Sequence, residues 1–193
     1  MLSEYNLNKK SNFGLIEVIC GSMFSGKTEE LIRRIKKAEY SRLKTVVFKP
    51  EIDSRSHGNY ISTHNNKKHK ALTVTNENEI LEKSKKYDVV GIDEAQFFSN
   101  CLVDICNLLA NEGKRIIVAG LDMDFRGKPF GPMPNLMATA EFVSKLHAIC
   151  METGGMANYT NRKSKYKRQI KIGDGGDYEA LSRSSFFKKN IDA

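Results

Sequence analysis

An α/β fold with a parallel, helix-flanked sheet and a small strand-and-loop appendage is predicted by three features of the sequence. Short apolar runs of strand length alternate with amphipathic stretches of helix length. A glycine-rich turn between the first run and the first such stretch has the spacing of a phosphate loop. After about residue 149 the chain becomes polar, basic and helix-poor, with the cluster Gly173-Asp174-Gly175-Gly176.

The elements follow in order. Leu15 to Cys20 reads as a buried strand. The next helix carries Leu31, Ile32, Ile35 and Ala38 on one face, with Arg33, Arg34, Lys36 and Lys37 largely opposite. Thr45 to Phe48 is a second strand. Residues 50–70 are polar and read mostly as an excursion loop. Asn76 and Glu79 have the spacing of a capping box opening a short helix. Tyr87 to Ile92 is a third strand, and Leu102, Ile105, Leu108 and Leu109 mark a helix ended near Gly113. Arg115 to Ala119 is the fourth strand. Parallel strands joined by helices require right-handed crossovers. The expected division is a flexible extension over 1–14, a nucleotide-binding domain over 15–149 and a small subdomain over 150–193.

Composition narrows the function. The chain has 193 residues, 40% apolar and 28% charged, which suits one packed domain and excludes a disordered one. No apolar run is long enough for a membrane helix, and Met1 to Asn12 lacks a signal-peptide core, so a soluble cytoplasmic protein is expected. The net charge of +8 is spread evenly: residues 1–149 hold 22 basic and 18 acidic side chains, and 150–193 hold 9 and 5. Each part is therefore +4, a weak argument for nucleic acid. Cys20, Cys101, Cys106 and Cys150 form no C-x-x-C pair and read as free thiols. His57, His64, His69 and His147 show no ligand spacing, and the Lys67-Lys68-His69-Lys70 run reads as a solvated face.

The turn Gly21-Ser22-Met23-Phe24-Ser25-Gly26-Lys27-Thr28 fits G-x-x-x-x-G-K-[ST] at every position. Its glycines let successive N–H groups face phosphate oxygens. Lys27 reaches the β and γ phosphates, the Thr28 hydroxyl is a Mg²⁺ ligand, and the following helix offers its N-terminus to the same anion. The third strand ends in Asp93-Glu94, at the sheet edge where ligands of parallel sheets bind. Asp93 can hold Mg²⁺ through water, and Glu94 can act as a base toward water or a hydroxyl. Ala95-Gln96-Phe97-Phe98 follows, its rings serving either the core or a wall for a planar base. The loop Gly120 to Gly131 brings ring, cation and glycine to the same edge.

Together these three segments closely resemble the type II thymidine kinases, from about Ile16 to Phe187. The resemblance implies transfer of the γ-phosphate of ATP to the 5′-hydroxyl of thymidine, with Mg²⁺ and with Glu94 as general base. It implies ATP contacts from Gly21 to Thr28 and from Asp93 to Gln96. It implies a pyrimidine pocket of Met23, Phe97, Leu121, Phe125 and Thr160 under a C-terminal lasso. Gln169, Ile170, Lys171, Ile172 and Gly173 match the lasso stretch that bonds the base edge, and Tyr178 matches its covering ring. Asp53 and Arg55 match a pair near the substrate. A homotetramer inhibited by dTTP, with no nucleic-acid or membrane partner, is also implied.

One part of the pattern is broken. Many members tie the small subdomain with a four-ligand zinc; here Cys150 is the only family ligand retained, with Thr153, Ser182 and Ser185 at the other positions. Hydroxyls make a poor zinc shell, so no structural zinc is expected and a Ser–Thr hydrogen-bond cluster could take its place. Cys150 then reads as a small buried residue; a redox-active thiol would need a lowered pKa. Two other functions fit the phosphate loop: an ATPase acting on a macromolecule, with Glu94 activating water, and a nucleotide-binding module without catalysis. The ring-lined segment from Ile170 to Tyr178 argues against the first, and the presence of Lys27 and Glu94 against the second.

Overall fold

A computed structural model describes residues 13–53, 59–62, 68–163 and 176–191. Its strands are β1 (Leu15–Gly21), β2 (Thr45–Pro50), β3 (Tyr60–Ser62), β4 (Lys68–Lys70), β5 (Leu72–Val74), β6 (Val89–Ile92), β7 (Arg115–Gly120), β8 (Phe142–Leu146), β9 (Ala148–Ile149), β10 (Met156–Ala157), β11 (Tyr159–Arg162) and β12 (Tyr178–Leu181). Its helices are α1 (Lys27–Tyr40), α2 (Glu77–Lys83), α3 (Cys101–Asn111), α4 (Met133–Thr139) and α5 (Arg183–Ile191).

Six strands form one sheet in the order β5-β2-β6-β7-β1-β8, and every pairing in it is parallel. Alternation divides its apolar residues between two faces. Val18, Val46, Val90, Ile92, Ile116 and Val118 pack with Ile80 of α2, Leu102 and Ile105 of α3, and Met133 and Leu136 of α4. Ile19, Val47, Val89, Ile117 and Ala119 pack with Leu31, Ile32 and Ile35 of α1. Helices on both faces explain why β6, most of β7 and all of β1 except Glu17 are apolar without alternation.

The four expected strands are present, and the sheet has two more. β5 and β8 are its edges. β8 alternates between half-buried and exposed residues, so it lacks the apolar run that marks an inner strand. The expected excursion loop contains the β3–β4 hairpin, seated by Ile61 on the α1 side of the sheet. Asn76 caps α2 by accepting from Glu79 N, while the Glu79 carboxylate accepts from Thr75 N, one residue earlier than the standard box. On α3, Leu108 is exposed and Cys106 takes an inward position instead.

Arg34 is not on the solvent face. It is 4% exposed, its Nη1 lies 2.7 Å from Glu17 Oε2, its Nε 2.7 Å from Glu30 Oε1, and its Nη2 donates to Ser144 Oγ at 2.8 Å. Glu17, an acid inside β1, also meets Arg115 Nε at 2.6 Å. Removing one partner of so buried a pair costs about 3–5 kcal/mol, so the cation must stay with the acid.

The chain after β8 is less helix-poor than expected, because it contains α5. Ser182 Oγ accepts from Ser185 N at 3.3 Å, which caps this helix. Ala148, Cys150, Ala157, Tyr159, Ala180, Leu181 and Phe186 form a third apolar cluster, with the Tyr159 and Phe186 rings stacked 4.6 Å apart. Among the described residues no helix is long and apolar enough to cross a membrane.

Candidate active site

The loop between β1 and α1 follows from its glycines. Gly21 has φ +141°, and a Cβ there would stand 2.2 Å from the carbonyl oxygen of Leu146 on β8. No other residue fits that approach. Gly26 precedes α1 in the left-handed region, and no side chain caps the helix. The first backbone N–H groups of α1 therefore have no side-chain cap, the position at which helix N-termini take phosphates. Lys27 Nζ donates to Ser22 O at 2.7 Å, folding the cation back over the loop.

Thr28 Oγ1 lies 3.1 and 3.4 Å from the two oxygens of Asp93. A hydroxyl and a carboxylate facing each other are hard oxygen donors that suit Mg²⁺. Asp93 Oδ1 also accepts from Glu94 N at 3.0 Å. Glu94 itself has φ 52°, a left-handed conformation that costs a non-glycine residue energy and turns the chain sharply at the sheet edge. A 3₁₀ turn over Ala95–Phe97 follows. Ala95 and Phe98 point into the core, whereas Phe97 is half-buried with its ring 5.9 Å from that of Phe130, edge to face. Gln96 is buried, with its Nε2 2.5 Å from Glu94 Oε2 and its Oε1 2.9 Å from Leu121 N.

The loop from Leu121 to Gly131 is internally braced. Asp124 Oδ1 accepts from Arg126 N at 2.9 Å and Lys128 N at 3.1 Å, and Lys145 Nζ of β8 pairs with Asp122 Oδ2 at 2.7 Å. Phe125 therefore projects from a fixed turn.

The strands after β9 reach the phosphate loop directly. Thr160 Oγ1 on β11 accepts from Met23 N at 2.9 Å, and Ser22 Oγ donates to Ala157 O at 3.5 Å. Phe24 and Met123 pack against the third apolar cluster. Arg162, on the same strand as Thr160, sits 3.7 Å above the Phe125 ring and donates through Nε to Tyr178 Oη at 3.2 Å. Phe125 and Tyr178, 53 positions apart in sequence, are thus joined through one guanidinium.

Three contributors were missed in the sequence: Arg162, Lys145 and Lys49. Lys49 is 2% exposed on β2. Alternation puts it on the α1 side with Val47, one residue past the Phe48–Ile92 pair and so level with Asp93. A lysine directly after the apolar run Val46-Val47-Phe48, still inside the strand, was the available signal. Asp53 is buried just beyond β2. Arg55, and Gln169, Ile170, Lys171, Ile172 and Gly173, lie outside the described residues.

The residues that the resemblance matches to zinc ligands lie close together. Cys150 Sγ lies 3.8 Å from Ser185 Oγ, which lies 3.2 Å from Ser182 Oγ. Burial alone would push the Cys150 thiol up, but a donor from the Thr153 side chain and backbone N–H groups of Ser182, Glu152 and Thr153 bring it down to about 6. By contrast, burial pushes Cys20 to about 11 and Cys106 to about 12. Among the described residues no group of three or more His, Cys, Asp or Glu side chains could hold a metal. One thiol with three hydroxyls does not fit structural zinc.

A parallel sheet with a phosphate loop at its edge, an Asp-Glu pair beside it and the segment from β10 to β11 folded against the loop defines the class of P-loop nucleotide-dependent enzymes. Comparison narrows the class: the thymidine kinase family model matches residues 14–186, and the chain belongs to that family. Thymidine kinase of Bacteroides fragilis strain YCH46 is 48% identical over 96% of this chain and 94% of its own length. That of Porphyromonas gingivalis strain ATCC 33277 is 47% identical over 91% and 86%, and that of a Rhodothermus species is 47% identical over 93% and 84%. Domain III of the Thermotoga maritima replication initiation protein DnaA aligns with 72% of this chain and 57% of that one, at TM-score 0.44 and 21% identity, too distant to bear on function.

Proposed function

We propose that this enzyme transfers the γ-phosphate of ATP to the 5′-hydroxyl of thymidine, giving dTMP and ADP. Glu94 takes the proton of the 5′-hydroxyl, that oxygen attacks the γ-phosphorus, and the bond from phosphorus to the β–γ bridging oxygen breaks as ADP leaves. Lys27 offsets charge on the transferring group, with the phosphate-loop N–H groups around it. Thr28 and Asp93 would hold Mg²⁺, which when bound supplies positive charge at the β and γ phosphates. Met23, Phe97, Leu121, Phe125, Thr160 and Tyr178 line or brace the nucleoside side, and residues 150–193 close over it to exclude water. What carries this reading is the convergence at one sheet edge of the Thr28–Asp93 pair and a Glu94 carboxylate braced by Gln96, in a chain whose family match spans 14–186.

The decisive experiment incubates the protein with ATP, Mg²⁺ and each of the four deoxynucleosides, and measures ADP and nucleoside monophosphate together. Thymidine-dependent ADP matched mole for mole by dTMP is expected. ADP formation indifferent to nucleoside would instead assign Glu94 to water activation.

The proposal extends to regulation and assembly. dTTP would place its base in the thymidine site and its phosphates on the phosphate loop; kinetics without competition by dTTP would reject this. The family resemblance also suggests a cytoplasmic homotetramer. The small subdomain would hold together without zinc, through its stacked rings and the Cys150–Ser185–Ser182 chain.

A further inference from the structure

We infer that Gln96 is a positioning residue that couples the Glu94 carboxylate to the loop carrying Leu121 and Phe125, so that one side chain sets both the base and the nucleoside wall. This rests on the reading of Glu94 as the base.

The orientation of the amide is fixed by its neighbours. Leu121 N–H can only donate, so the group 2.9 Å from it must be the amide oxygen. The amide nitrogen then faces Glu94 Oε2 at 2.5 Å, as a donor to a carboxylate. Gln96 is 2% exposed, so water does not replace either partner cheaply. Among side chains of this length, glutamate could serve Leu121 but not Glu94, lysine could serve Glu94 but not Leu121, and methionine neither.

The loop also closes on Gln96 at both ends. A Cβ at Gly120 would stand 2.9 Å from Gln96 Oε1, and one at Gly131 would stand 2.4 Å from Gln96 O. The backbone of the loop is pressed against this residue where it leaves β7 and again where it approaches α4. Glu94 needs such bracing because its own backbone, at φ 52°, does not sit in a broad energy well. A nucleoside that seats against Leu121 therefore bears on the residue that aims the base.

The test is a double-mutant cycle of Gln96→Met and Glu94→Gln, read as kcat and thymidine KM, with melting temperature as a folding control. With Glu94 present, Gln96→Met is expected to lower kcat about 10- to 100-fold and raise thymidine KM. In the Glu94→Gln background, adding Gln96→Met should change kcat by less than about threefold, because the group it aims is gone. Equal losses in the two backgrounds would reduce Gln96 to a structural residue and overturn the inference. An unchanged kcat in Gln96→Met would also overturn it, leaving the base assignment intact. Near-normal turnover in Glu94→Gln alone would remove the base assignment itself. If Gln96→Met does not fold, Gln96→Glu keeps the acceptor for Leu121 and removes the donor to Glu94. It should lower kcat with little change in thymidine KM, and equal change in both would reject the coupling.

Discussion

The proposed phosphate end of the site is assembled mainly by short segments at the ends of strands in one sheet. Lys27 and Thr28 follow β1, Asp93 and Glu94 follow β6, and a single parallel sheet brings those ends together. The proposed nucleoside end is assembled by contacts between different layers: Met23 meets Thr160 across 137 positions, and Arg162 links Phe125 to Tyr178. The first is governed by backbone geometry that glycine permits. The second depends on side chains whose partners lie far away in sequence. Damage at the phosphate end should therefore act on chemistry, and damage at the nucleoside end on thymidine affinity and on the docking of the two parts.

The largest expected effect tests the chemical end. Glu94→Gln should keep ADP binding and the melting temperature and lower turnover by about 10²–10⁴-fold, as loss of a general base does. Near-normal turnover would end the assignment. At the other end, Thr160→Val preserves shape but leaves Met23 N–H without its acceptor, at a cost of about 1–3 kcal/mol. A lower melting temperature and a raised thymidine KM are expected; a wild-type value of both would mean that the two parts do not depend on this contact. Arg162→Met removes the cation from the Phe125 face and the donor to Tyr178. It should weaken thymidine binding by about 1–2 kcal/mol while ADP binding is unchanged. Equal weakening of both ligands would erase the distinction between the ends.

The zinc positions allow a pH measurement. Thiolate absorbance should titrate with a midpoint near 6 and lose that component in Cys150→Ser, because Cys20 and Cys106 are pushed up to about 11 and about 12. Folding lowers the Cys150 pKa from the ordinary thiol value of about 9 to about 6. Its stabilisation is therefore fully present above about 9 and is lost as pH falls through about 6. A melting-temperature difference from Cys150→Ser that grew toward low pH would contradict this. The smallest expected effect is none: a zinc-selective chelator should leave the melting temperature unchanged, and a marked fall would establish a metal there.

The sequence was most legible where one local segment carries both the structure and the chemistry. The phosphate loop, Asp93-Glu94 and the four inner strands could be read because their residues are contiguous and their apolar runs are uninterrupted. β5 and β8 escaped because edge strands are short or half exposed. Arg34 escaped because its helical position looked solvated until Glu17 on β1 supplied a charge. α5 escaped because its cap, Ser182, occupies a position first weighed as a lost metal ligand. Lys49, Lys145 and Arg162 have no local motif.

The sequence by itself therefore determined the glycine-rich turn between β1 and α1, the acidic pair and the helix-flanked sheet that presents them. Those depend on glycine conformations, strand periodicity and neighbours a few residues away. Tertiary structure alone decided that Thr160 holds Met23, that Arg162 joins Phe125 to Tyr178, and that Gln96 stands between Glu94 and Leu121. Each of those is a pairing of polar groups removed from water, and burial, which selects the partner, exists only once distant segments have packed.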